Sequence, residues 1–135
     1  MADTFQLAAL QRECRAVFCD PALMQYAVKI VGATRRPEKY ELADIAKYLT
    51  YGASPRATIG MIEGAKALAM LRGRRYVLPE DLTDLVPDVL RHRLVLSYEA
   101  LAENISADAL VQRVMKKMPP PDKPLAHGSL AAAAA

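Results

Sequence analysis

Gly52-Ala53-Ser54-Pro55-Arg56-Ala57, with the helical run it opens to about Arg72, decides how this chain is read. Ser54 has the side chain of a helix N-cap, and Pro55 the fixed φ of a first helical residue. Arg56 then falls in the first turn, at the positive end of the helix dipole, where an exposed cation is disfavoured by roughly 0.3–1 kcal/mol. The same turn carries backbone N–H groups without intrahelical acceptors, which favour an anion. The residues alone leave two readings open. Arg56 is exposed or paired with an acid elsewhere in the fold, or it is held ready for an anion such as a phosphate. Along the same helix run Gly60, Gly64, Ala67 and Leu71, beside an apolar stripe of Ile59, Ile62, Ala65 and Ala69. Glycine inside a helix costs about 1 kcal/mol against alanine, so the two glycines predict close approach of a neighbouring helix. The helix is expected to be central and largely buried.

The flanking sequence supplies its partners. Asp3 or Thr4 can cap a first helix with the stripe Leu7, Leu10, Cys14, Val17 and Phe18. Asp20-Pro21 opens a second, with Leu23, Tyr26, Ala27, Ile30 and Val31 inward, and the short link predicts an antiparallel pair. Arg35-Arg36-Pro37-Glu38-Lys39 reads as a charged loop. Glu41 to Tyr51 carries Leu42, Ile45, Ala46 and Leu49 at helical spacing, and Gly52 suits the left-handed turn that ends such a helix. Gly73 ends the central helix, and Tyr76-Val77-Leu78 reads as extended. Pro79-Glu80-Asp81 starts the next helix, with Leu82, Leu85, Val86, Val89 and Leu90 as its core face. Pro87 inside it predicts a kink, or two short helices meeting at Val86. Leu94-Val95-Leu96 reads as a short strand, and Ser106 caps a last helix docked by Leu110, Val111, Val114 and Met118. The expected fold is mainly α: one bundle of five to six helices with at most two very short extended segments. Residues 1–118 form the domain. Residues 119–135, rich in Pro and Ala, read as a disordered tail or appended residues.

Composition excludes several classes. Hydrophobic residues make up 53% of 135, enough for one helical core. No apolar run reaches the roughly 18 residues of a membrane span, and the N-terminus lacks a basic-then-apolar signal. Cys14 and Cys19 fall on one predicted helix, too far apart in sequence to bridge there, and read as small buried hydrophobes in a reducing cytoplasm. His92 and His127 have no cysteine or acid at ligand spacing, so no metal site is expected. A net charge of +3 is too small for a nucleic-acid footprint. Arg72, Arg74 and Arg75 around Gly73 are either paired with Glu80, Asp81, Asp84 and Asp88 or available to an interface.

Gly52-Ala-Ser-Pro-Arg-Ala57, Ala67-Leu-Ala69, Arg72-Gly-Arg-Arg-Tyr-Val77, Pro79-Glu-Asp81 and Leu90-Arg-His-Arg93, in this order and spacing, resemble the C-terminal helical lid of MoxR-type AAA+ ATPases. The resemblance runs from about Phe5 to Pro121. It implies that Arg56 is the sensor 2 arginine, which acts on the phosphates of ATP in the assembled enzyme, with Ser54 and Ala57 beside it as nucleotide-binding residues. It also implies Mg-ATP in the parent protein, neighbouring subunits of a ring (a hexamer), and chaperone-like action on protein complexes, with von Willebrand factor A domain proteins among the partners. Arg35 lies near the ATP-binding core in that comparison and is a weak interface candidate, as are Arg72, Arg74 and Arg75. Arg93 matches a position to which the resemblance assigns no chemistry.

The chain has no Gly-x-x-x-x-Gly-Lys-Ser/Thr phosphate loop and no Gly-Lys pair at all. It reads as a piece that follows an ATP-binding core, and alone it is expected not to hydrolyse ATP. The competing reading is a helical protein- or nucleic-acid-binding module without a nucleotide role. Arg56 separates the two, because only the lid needs a guanidinium at that helix start. The helix it opens is mostly small and apolar, which argues against insertion into a groove.

Overall fold

The computed structural model describes residues 3–122. Helices α1 (Thr4–Ala16) and α2 (Pro21–Arg35) lead into a 3₁₀ turn (Pro37–Tyr40), the single-turn helix α3 (Ala43–Ala46) and strand β1 (Leu49–Tyr51). Helices α4 (Arg56–Leu71) and α5 (Pro79–Arg91) form the central hairpin, followed by β2 (Val95–Leu96), α6 (Tyr98–Ala102) and α7 (Ala107–Lys117). The mainly α class holds. Among the described residues there are seven α-helices rather than five or six, with one two-stranded sheet.

Several caps form as the sequence predicts. Asp3 Oδ1 accepts from Gln6 N at 2.8 Å, Asp20 Oδ1 from Ala22 N at 2.8 Å and Ser106 Oγ from Ala109 N at 3.1 Å. Each satisfies an amide that its helix leaves unpaired. Gly73 adopts φ +77°, the left-handed conformation that closes α4.

The core is one cluster built on α2, α4, α5 and α7, with Leu23, Ile30, Met61, Leu82, Leu90 and Leu110 fully buried. Tyr26 Oη, from α2, donates to the Met118 carbonyl at 2.9 Å and ties down the end of α7. Met118 is the α7 C-cap, and most of the predicted tail lies outside the described residues.

Four expectations are corrected. First, α1 buries no residue: Phe5, Leu7 and Leu10 are exposed, and α1 packs on α4 instead of pairing with α2. Val17 is buried beyond its end, where Phe18 makes a parallel bridge to Tyr76. Cys14 and Cys19 are therefore not on one helix, and both are free thiols. Second, Arg35 belongs to α2, and a 3₁₀ turn replaces the predicted loop after it. Third, the predicted Glu41–Tyr51 helix is broken. Glu41 sits at φ 58°, α3 is four residues long, and Leu49–Tyr51 pairs antiparallel with Val95–Leu96. Ser97 N and Oγ donate to the carbonyls of Tyr48 at 2.9 Å and Lys47 at 2.6 Å, fastening this region to a segment about 50 residues later. Fourth, the two-helix reading at Pro87 is overturned: α5 runs through it as one helix, its face of Leu82, Val86 and Leu90 held by the core.

The two α4 glycines part company. A Cβ at Gly64 would lie 3.1 Å from Leu85 Cδ1, so α5 does approach there. A Cβ at Gly60 would meet nothing within 4 Å, and close helix packing does not explain that residue. Gly60→Ala is expected to stabilise the domain by about 0.5–1 kcal/mol, through helix propensity alone. Urea unfolding checks this; a lower midpoint would reveal a backbone requirement that the structure does not contain.

Candidate functional site

The start of α4 is fixed by small residues pressed onto α2. Thr34 is 1% exposed; its hydroxyl donates to Val31 O at 2.7 Å and accepts from Ala53 N at 3.0 Å. A Cβ at Gly52 would overlap the Thr34 carbonyl and come within 2.6 Å of Arg35 N. Gly52 is thus required by close backbone approach, not by a left-handed turn, since its φ is not positive. Ala53 and Ala57 are fully buried against the same wall. Gly52→Ala is expected to cost about 1–3 kcal/mol, the usual range for overpacking; thermal melts measure it, and an unchanged midpoint would show that the loop is free to move. Local spacing gave no hint of Thr34. A buried polar residue late in a helix is the only signal that points to it.

On that wall the Ser-Pro-Arg segment turns outward. Pro55, not Ser54, is the N-cap, in helical conformation and without a side-chain cap. The carbonyls of Ser54 and Pro55 accept from Ala57 N at 2.9 Å and Thr58 N at 3.1 Å. Both amides are occupied by this tight first turn, and Ala57, nominated as nucleotide-binding, is buried. Ser54 and Arg56 are exposed. Arg56 makes no side-chain hydrogen bond and no ion pair among the described residues. Among the described residues the guanidinium thus has no partner, and it stands at the positive end of a 16-residue helix.

The other nominated arginines divide. Arg74 Nη1 and Nη2 donate to Asp81 Oδ2 and Oδ1 at 2.7 Å each, and Arg72 spans Asp81 and Asp84 at 2.8 Å each. Asp81 Oδ2 also accepts from Leu78 N at 2.8 Å. This cluster joins the C-terminal end of α4 to the N-terminal end of α5, so the charges of Arg72 and Arg74 are used inside the domain. Arg35 and Arg75 are exposed, with no side-chain partner among the described residues. Among the described residues, no group of three or more His, Cys, Asp or Glu is placed to hold a metal, and no helix is long and apolar enough to cross a membrane.

A mainly helical domain built on an antiparallel hairpin, with a free arginine at the start of its central helix, has the layout of an ATPase lid. Residues 42–114 match the AAA lid domain family, and the chain belongs to it, as a lid of MoxR type. It is 46% identical over 113 residues to Chaperone MoxR1 of Mycobacterium tuberculosis, covering 84% of this chain and 30% of that protein. It is 35% identical over 107 residues to Protein MoxR of Paracoccus denitrificans, covering 75% and 31%. A crystal structure from Cytophaga hutchinsonii, described as that of an ATPase, superposes with a TM-score of 0.79 at 40% identity, covering 82% of this chain and 34% of that one. The chain thus spans about a third of the length of these relatives.

Proposed function

We propose that this domain closes over ATP bound by the core of a MoxR-type AAA+ enzyme, and that Arg56 is its sensor 2 arginine. The observation that carries the reading is the free, exposed guanidinium at the start of α4, held where its own helix disfavours it. Phosphate oxygens offset that cost, and a planar guanidinium can bond them in pairs. The surrounding packing suits the role. Gly52, Ala53 and Ala57 fix the backbone on α2, so the arginine is positioned while its side chain has no polar partner among the described residues.

The residues present fit the phosphate end of a nucleotide only in part. The chain supplies Arg56 here, whereas the phosphate loop and magnesium ligands belong to a core, and the sequence holds no phosphate loop. Magnesium, when bound there, neutralises phosphate charge; the lid's own contribution is to orient the phosphates and report their presence through closure. Neighbouring subunits of a ring, and protein complexes remodelled by it, are the partners this reading implies. The test is ATP turnover of the full parent enzyme carrying Arg56→Ala or Arg56→Lys, beside thermal melts of the lid. Unchanged turnover with an intact lid would remove the sensor assignment.

A further inference from the structure

The unexplained glycine of α4 points to a second arginine. Gly60 lies one turn after Arg56, on the same face of α4. Beside it is a cleft of about 510 Å³, lined by Gly60, Asp88, Val89, His92 and Arg93. The α4–α5 hairpin is antiparallel, with Gly64 against Leu85, and Gly60 shares the cleft with Val89. Arg93 lies two residues past the end of α5 and lines this cleft, while Arg56 is one helical turn from Gly60 along α4. Arg93 is exposed, its amide bonded to Leu90 O at 2.9 Å, and its side chain makes no hydrogen bond or ion pair among the described residues. The one acid in the cleft, Asp88, is met by Arg91 Nη1 at 3.1 Å. Two guanidiniums unpaired among the described residues thus lie near Gly60: Arg93 in the cleft, which a side chain at position 60 would narrow, and Arg56 one turn away along α4.

We infer that Arg93 binds the same polyphosphate as Arg56, Arg93 from the cleft that Gly60 keeps open and Arg56 from the helical turn before it. The inference rests on the reading of Arg56 as a phosphate-binding residue and adds a partner to it. Phosphate is favoured over a protein carboxylate because two forked donors at one site match an anion with several oxygens and more than one charge. It also gives Gly60 a use: a residue that weakens its helix and contacts nothing is explained if a ligand passes close to the backbone.

The experiment is a double-mutant cycle on the full parent enzyme, reading kcat and KM for ATP with Arg56→Ala, Arg93→Ala and both, and Arg93→Lys as the conservative variant. Arg93→Ala is expected to lower kcat/KM by about 10- to 100-fold, the usual effect of losing a charged hydrogen-bond donor to the ligand. Lid melting should be unchanged, since the exposed side chain makes no hydrogen bond or ion pair among the described residues. The double variant should be little worse than the poorer single one, because two groups on one ligand are coupled. Arg93→Lys should recover only part of the loss. Gly60→Leu, which fills the cleft, should lower kcat/KM while the lid stays folded. Full activity of Arg93→Ala alongside a damaged Arg56→Ala enzyme would overturn this inference and leave the sensor reading intact. Losses that simply multiply would also overturn it, since they place Arg93 on a separate target such as a neighbouring polypeptide. Loss of ring assembly with unchanged nucleotide binding would assign Arg93 to a protein contact and overturn it as well.

Discussion

Arg56→Ala in the full parent enzyme is expected to cut ATP turnover by about 10²–10³-fold, the range for removing one preorganised donor to a developing anion. An arginine supplied to the γ-phosphate at the moment of transfer is worth roughly 10³–10⁵. A lid arginine that also senses the bound ground state spends part of its interaction on binding, so the lower range is expected. The isolated lid should behave oppositely. No described residue pairs with Arg56, and its charge opposes the helix dipole, so its removal should leave stability unchanged or raise it by a few tenths of a kcal/mol. Arg56→Lys keeps the charge and loses the fork, and should recover little. Measuring turnover and melting on the same variants separates the outcomes. A collapsed lid would make Arg56 structural; a sound lid with full turnover would leave the guanidinium without a role in catalysis.

How far this site was legible depends on whether its causes are local. Arg56 in the first turn of a long helix follows from Pro55 and the apolar run behind it, and that placement holds although Pro55 rather than Ser54 is the cap. The Asp20, Ser106 and Gly73 signals are equally local, and each appears where the sequence puts it. What failed was set by distant partners. Leu42, Ile45, Ala46 and Leu49 have helical spacing, yet β1 forms because Val95–Leu96 and Ser97 offer its backbone other bonds. Gly52 has the position of a helix-ending glycine, but its requirement comes from the Thr34 carbonyl across the fold. The stripe on α1 is real in spacing, but Leu7 and Leu10 stay 53% and 45% exposed. Gly60 and Gly64 look alike in sequence; only the register of α5 separates a packing contact from an open cleft.

Asp81→Asn should be the most damaging single change to stability proposed here, at about 3 kcal/mol, the low end for removing one partner of a buried ion pair. Asp81 is fully buried and receives both forks of Arg74, one from Arg72 and the Leu78 amide. The low end applies because the Arg74 and Arg72 side chains are 20% and 40% exposed, so water can reach the cations once the carboxylate is gone. For a domain of this size the loss corresponds to a fall of about 10–20 °C in melting temperature. Acid supplies a second test. Burial pushes the Asp81 carboxyl up, but the Arg74 and Leu78 hydrogen bonds and the arginine charges outweigh it, and its pKa is lowered in the folded state. Its stabilisation is therefore complete above the unfolded carboxyl value, roughly 3.9, and is lost as pH falls through the lower folded value. The gap between the parent domain and Asp81→Asn should be constant near neutrality and close only below about pH 4. A gap that closes already between neutrality and that point would assign the effect to another group, and no gap at all would mean the cluster is not a clamp. The position of the clamp gives it a functional consequence. It locks one end of the α4–α5 hairpin, while Arg56 and Arg93 stand at the other. An Asp81→Asn enzyme that still folds should hold those two arginines in a looser register, and lose turnover without either of them having been changed.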